Sequence, residues 1–164
     1  MAIVRSDDIN ITGLDSVPPV MPSSNNNGAD TKFNRSHVAI AAADVDTNQF
    51  RMARLPSNAV IRSITVLCDA ITGGTDFDLG IAYPPSKGGA VIDADNLMDG
   101  QTLASASKVL DGFAAVAIED RYKELWELAG LTVDPVHNLD IVLTGNTIGT
   151  AAGDVVIEIA YTMK

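Results

Sequence analysis

The sequence predicts an all-β fold: an antiparallel β-sandwich, jelly-roll-like, with one inserted short α-helix and an extended N-terminal arm. Three observations predict it. After about residue 36 the chain is mostly short apolar, β-branched segments separated by Gly and Pro turns. One stretch, about residues 118–129, has helical rather than strand periodicity. Residues 1–36 have neither period. A parallel α/β fold would need more helices. The 164 residues suit one ordinary domain with an appendage, an arm over 1–36 and a body over 37–164.

The arm comes first. Residues 15–30 are rich in Pro, Ser, Asn and Gly, and Asn25-Asn26-Asn27-Gly28 reads as a turn or linker. Pro18, Pro19 and Pro22 lack amide donors and favour extended backbone. Yet Ile9, Ile11, Leu14, Val17, Val20 and Met21 would gain by burial. With Pro18 and Pro19 they form the candidate partner-binding set. An arm of this length reaches at most on the order of 120 Å. It is either a free tail or a segment that orders on a neighbouring subunit.

The strands follow in order. Residues 37–43 form an apolar run of strand length, and 49–55 alternate imperfectly, because Arg54 joins the face of Phe50 and Met52. Residues 58–70 are the strongest strand. There Val60, Arg62, Ile64, Val66 and Cys68 share one face, and Ile61, Ser63, Thr65, Leu67 and Asp69 the other. Gly73-Gly74 suggests a hairpin into residues 76–83, with Phe77, Leu79 and Ile81 on one side. Residues 84–89 are a loop, and 90–93 a short edge strand. A helical turn is expected near 95–99. Residues 139–144 and 154–162 close the chain, with 145–153 read as a hairpin loop. The inserted helix carries a stripe of Ile118, Tyr122, Leu125, Trp126 and Ala129, acids near its start and Gly130 at its end.

Composition narrows the function. The formal net charge is −10, with 11 basic and 21 acidic side chains. That balance argues against an unaided nucleic-acid binder. Residues 1–90 hold 7 basic and 9 acidic groups, and residues 91–164 hold 4 and 12. The acidic half is either plain solvated surface or the solvent side of a chain whose other half meets a partner. No apolar run is long enough for a membrane span, and the first residues lack a signal-peptide core. Cys68 is the single cysteine, so no internal disulfide forms. Asn10-Ile-Thr12 and Asn34-Arg-Ser36 match the glycosylation pattern but mean little without such a signal.

Reaction chemistry is sparse. No nucleophile elbow and no phosphate-binding Gly-rich loop occurs. His37, His137 and Cys68 lack the local ligand pairs of zinc sites. Asp93, Asp95 and Asp99 resemble a calcium loop, but Leu97, Met98 and Ala104 fail the EF-hand template, so a polar loop is expected. Asp76 and Asp78 could mimic a carboxylate pair, though neighbours at i, i+2 beside a turn are expected to keep an exposed face soluble. The eight aromatics fall mostly at core-like positions, which disfavours a sugar-binding platform. No enzyme activity, cofactor or metal is expected.

The residues Ala53-Arg-Leu-Pro-Ser-Asn-Ala-Val-Ile-Arg-Ser-Ile-Thr-Val66, Phe77-Asp-Leu-Gly-Ile-Ala82, Leu139-Asp-Ile-Val-Leu-Thr144 and Thr150-Ala-Ala-Gly-Asp-Val-Val-Ile-Glu-Ile-Ala-Tyr161 carry a resemblance. The body resembles small virion proteins of tailed bacteriophages, in particular head decoration (cement) proteins, over about residues 50–83 and 139–162. The resemblance implies a structural protein on the capsid surface of a virion, made in the bacterial host cytoplasm. It implies the major capsid protein and self, as a homo-oligomer and most simply a trimer, as partners. No catalytic residue is implied. The alternative is a phage tail or fibre-tip module that recognises a receptor or glycan.

Overall fold

The computed structural model describes residues 17–18, 30–105 and 108–164. Among the described residues eight strands are formed: β1 (Lys32–Ile40), β2 (Asn48–Pro56), β3 (Ala59–Cys68), β4 (Asp76–Ala82), β5 (Val91–Gln101), β6 (Lys108–Asp111), β7 (Asn138–Thr147) and β8 (Gly153–Met163). They make two four-stranded sheets, in the orders β1-β8-β3-β6 and β2-β7-β4-β5. Every pairing is antiparallel.

The order follows one rule. β4 pairs with β5, β3 with β6, β2 with β7 and β1 with β8. The chain is therefore a single long hairpin, with β4–β5 at its tip, folded over into two layers. That is the jelly-roll arrangement, and the sandwich expected from the sequence is the fold observed.

Alternation of side chains builds the core. Phe77, Leu79 and Ile81 of β4 and Leu139, Ile141 and Leu143 of β7 face Ile64, Val66 and Cys68 of β3 and Val155, Ile157 and Ile159 of β8, all buried. Each such side chain contributes about 1.5–3 kcal/mol when fully withdrawn from water.

Several expectations are corrected. Lys32–Ser36, read as arm, pair with β8, because the Ser36↔Ile157 register continues unbroken to Lys32↔Tyr161. The Gly73-Gly74 turn does not close a hairpin, nor do residues 145–153. β3 and β4 lie in different sheets, as do β7 and β8, so both connections cross between layers. Residues 93–99 are strand rather than loop or helical turn. The helix is much shorter than residues 118–129. A 3₁₀ turn covers Ile118–Asp120, and α1 covers only Leu125–Leu128. Glu124 breaks the run: its backbone is extended, and it forms a reciprocal capping box with Glu127. Of the stripe, Leu125 and Ala129 are buried, whereas Ile118 and Tyr122 are exposed.

Two β-bulges explain the irregular periods. In β3 the register against β8 shifts between Ile61 and Ser63, so Arg62 is an extra residue and leaves the core face. In β2 the shift falls between Arg51 and Ala53, which places Arg51 and Arg54 outward while Met52 and Ala53 are buried.

Candidate interaction surface

A sandwich has two outer faces, and here they differ. The outer face of β2-β7-β4-β5 is covered by its own chain. Asp140, Val142 and Thr144 of β7 and Asp78 and Ala82 of β4 point away from the core, yet all are buried. β5 provides much of the cover. Its register against β4 shifts three times, and its backbone at Asp93 and Ala94 occupies the space a Cβ on Gly80 would need.

The two buried carboxylates under this cover are paired. The Asp140 carboxylate, with its side chain 2% exposed, accepts from Arg54 Nε at 2.6 Å, Arg54 Nη2 at 3.0 Å and Arg51 Nη1 at 2.9 Å. Arg51 also donates to the carbonyls of Tyr83 at 2.8 Å and Gly89 at 2.7 Å, tying in the 84–89 loop. Burial pushes the Asp140 carboxyl up, but the hydrogen bonds and charges of Arg54 and Arg51 outweigh it and hold it below its ordinary value. Asp78, expected on an exposed face, is buried and accepts from Gly100 N at 2.7 Å and from Asn146 Nδ2 at 2.5 Å. These two carboxylates stabilise structure, and each is committed to internal donors.

The outer face of β1-β8-β3-β6 is open. Its side chains form rows set by register. The first row is Phe33, Ala160 and Ser63. The next is Arg35, Glu158, Thr65 and Asp111, and after it His37, Val156, Leu67 and Val109. Phe33 is 79% and Val109 65% exposed, and Leu67, Val156 and Ala160 are half-buried. Two ion pairs lie along the same face, Arg35 Nε–Glu158 Oε1 at 3.4 Å and Arg121 Nη2–Asp111 Oδ2 at 3.6 Å, and His37 Nε2 hydrogen-bonds Asp154 Oδ1 at 2.9 Å. This face thus offers an apolar line, Val156–Leu67–Val109, flanked by paired polar and charged groups. Such a patch suits protein contact better than small-molecule chemistry.

The sequence-derived candidates are only partly placed. Val17 is 98% exposed, and Pro18 is exposed too. Ile9, Ile11, Leu14, Pro19, Val20 and Met21 lie outside the described residues. Cys68 is buried, with Sγ 3.9 Å from Ser105 O. His137 packs its ring 5.7 Å from that of Tyr83 and donates from Nδ1 to Asn138 O, far in the chain from the His37 pair. Asp93, Asp95 and Asp99 are spread along β5, and among the described residues no three His, Cys, Asp or Glu side chains converge on a metal position. Sequence reasoning did not isolate Leu67, Val109 and Val156 as a unit. Their alignment depends on β6, a four-residue strand with no readable period.

No protein-family model matches the chain, and no curated protein matches it. Solved structures do. The capsid of Ralstonia phage GP4 aligns with a TM-score of 0.58 at 16% identity, covering 82% of this chain and 85% of that one. The cyanophage Pam1 capsid asymmetric unit aligns with a TM-score of 0.48 at 19% identity, covering 83% and 86%. The acidic stable capsid structure of Helicobacter pylori bacteriophage KHP30 gives 0.38 at 12%, covering 82% and 92%. The likeness to the first is one of fold.

Proposed function

We propose that this chain is a virion structural protein that decorates and stabilises a bacteriophage capsid. It binds the major capsid protein on the capsid surface through its N-terminal arm and through one β face, and Ile9, Ile11, Leu14, Val17, Pro18, Pro19, Val20 and Met21 are the arm's contact residues for its partners, the major capsid protein and other copies of this chain. The role is structural and non-catalytic. The observation that carries the reading is the asymmetry of the two sheets: one outer face is sealed by β5, and the other presents the Val156–Leu67–Val109 line. The jelly-roll fold shared with a chain from the capsid of Ralstonia phage GP4 supports it.

Small contacts suffice for this role if copies act together. A homo-oligomer, most simply a trimer, presents several arms and several faces at once, and linked contacts gain avidity by factors of about 10²–10⁴. The protein is made in the host cytoplasm and joins the shell there.

The test uses purified shells lacking this protein. Wild-type chain should add back in hundreds of copies on the head. Val109→Lys changes an exposed side chain of the face and should weaken binding at least about tenfold, the effect of losing about 1.4 kcal/mol. Replacing Ile9, Ile11 and Leu14 by Asp should do the same through the arm. Undiminished binding in both variants, or a handful of copies confined to the tail, overturns the reading.

A further inference from the structure

The open face also carries a groove, distinct from its apolar line. Phe33, Arg35, Ser63, Thr65, Glu158 and Ala160 surround a depression of about 400 Å³ at the end of the sheet where β1 begins. Its floor is low because two adjoining strands contribute small side chains there: Ala160 from β8, and Ser63 and Thr65 from β3. Its one wall is the ring of Phe33, and its two charges are paired with each other.

The chemistry of this groove selects its occupant. The sheet backbone beneath is already committed to β1–β8 and β8–β3 pairing, so it offers no free ladder to an added strand. With charge neutralised, it favours an uncharged segment that needs few hydrogen bonds. Val17-Pro18-Pro19-Val20-Met21 is such a segment: apolar, uncharged, and lacking two amide donors. Its two prolines each have a ring-fixed φ, which lowers the entropy lost on docking.

The position of the segment adds a second argument. The chain enters β1 at Lys32, beside Phe33, so residues 17–21 are tethered to the groove's own rim. Residues 22–31 span up to roughly 35 Å when extended. A body of this size has a radius of gyration of about 14 Å. A neighbouring body is therefore within reach. Val17 is 98% exposed and Phe33 79% exposed. Among the described residues nothing covers either side chain.

We infer that the groove on the β1-β8-β3 face takes residues Val17–Met21 of a second copy of this chain, so that copies are joined arm to groove. The contact is head-to-tail, and it closes into a ring when the rotation between copies closes. It leaves Ile9, Ile11, Leu14 and the Val156–Leu67–Val109 line for the shell. It stands independently of the shell reading, because it is measured with no shell present.

The experiment is a complementation test by sedimentation equilibrium on full-length chains. Wild type should self-associate reversibly. Val20→Asp removes the arm half of the contact, and Ala160→Arg fills the groove half. Each alone should be monomeric, with far-UV circular dichroism unchanged. Ser63→Arg, at an exposed groove position, repeats the groove test should Ala160→Arg disturb folding. Mixing the arm variant with a groove variant should restore association, but only to pairs, because one intact arm meets one intact groove. A monomeric wild type at high micromolar concentration, association that survives in either variant, or a mixture that stays monomeric overturns the inference.

Discussion

At the scale of single residues the sealed face depends on Asp140. Its carboxylate is withdrawn from water and held by two guanidinium groups, so removing the charge takes the carboxylate from Arg54 and leaves Arg51 with only its two carbonyl acceptors. Asp140→Asn should lower unfolding free energy by about 2–4 kcal/mol at neutral pH, read from urea titrations. The pH dependence has a definite sign. The folded carboxyl titrates below its ordinary 3.8, so its contribution is whole above that value and is lost as acid carries the pH down through the folded value. The stability gap between wild type and Asp140→Asn should therefore close on acidification below about pH 4. A gap unchanged to about pH 2 would count against the ion pair as its source. Little of this was legible in the sequence. Arg54 read as a flaw in the alternation of its strand, and its partner lies 86 positions away. Arg62 read as a charge sharing a strand face with Val60, Ile64 and Val66. In both cases the misfit was real information: it marked a bulge, and the bulge rotates the charge outward.

At the scale of elements, β5 is the strand that sequence reading described least well. Only residues 90–93 have a strand-like run, and the acids at 93, 95 and 99 suggested a loop. The strand nevertheless extends over Val91–Gln101, because three register shifts let it curl onto the sheet it edges while Leu97 and Met98 still reach the interior. Gly80 makes this possible by leaving room for the backbone of Asp93 and Ala94. Gly80→Ala should push β5 away and cost about 1–3 kcal/mol or more, seen as a lower urea midpoint. An unchanged midpoint would mean that the two backbones are not in contact. The long, β-branched strands β7 and β8, and β3 beyond its bulge, were legible because their inner positions alternate. The helix was overextended in the reading because its stripe is spaced correctly. What the spacing could not reveal is that Trp126 N donates to Ser57 O, a tertiary bond that docks α1 alone against the β2–β3 turn.

At the scale of the whole molecule, the doubled-over hairpin joins the most distant parts of the body. Lys32 is the register partner of Tyr161, so the outermost pair forms only after the chain between them is placed. Such non-local pairing is slow to close, and refolding of dilute protein should fall in the range of about milliseconds to seconds. Because β8 and β7 each sit between two partners, loss of one strand exposes both layers, and unfolding should be a single transition. Trp126 is the only tryptophan, so its fluorescence and the far-UV signal should share one urea midpoint. Separate midpoints would mean that the β6–β7 connection folds as its own unit. The same topology sorts the connections between two poles. Asp46, Thr72, Thr75, Thr147, Ile148 and Thr150 bond to one another across three loops, 41–47, 69–75 and 148–152, at the pole opposite Lys32 and Tyr161. A foreign epitope spliced into one of these loops is therefore presented at the pole farthest from the arm. The same epitope joined after Lys164 begins beside the arm, where anything the arm grips would mask it.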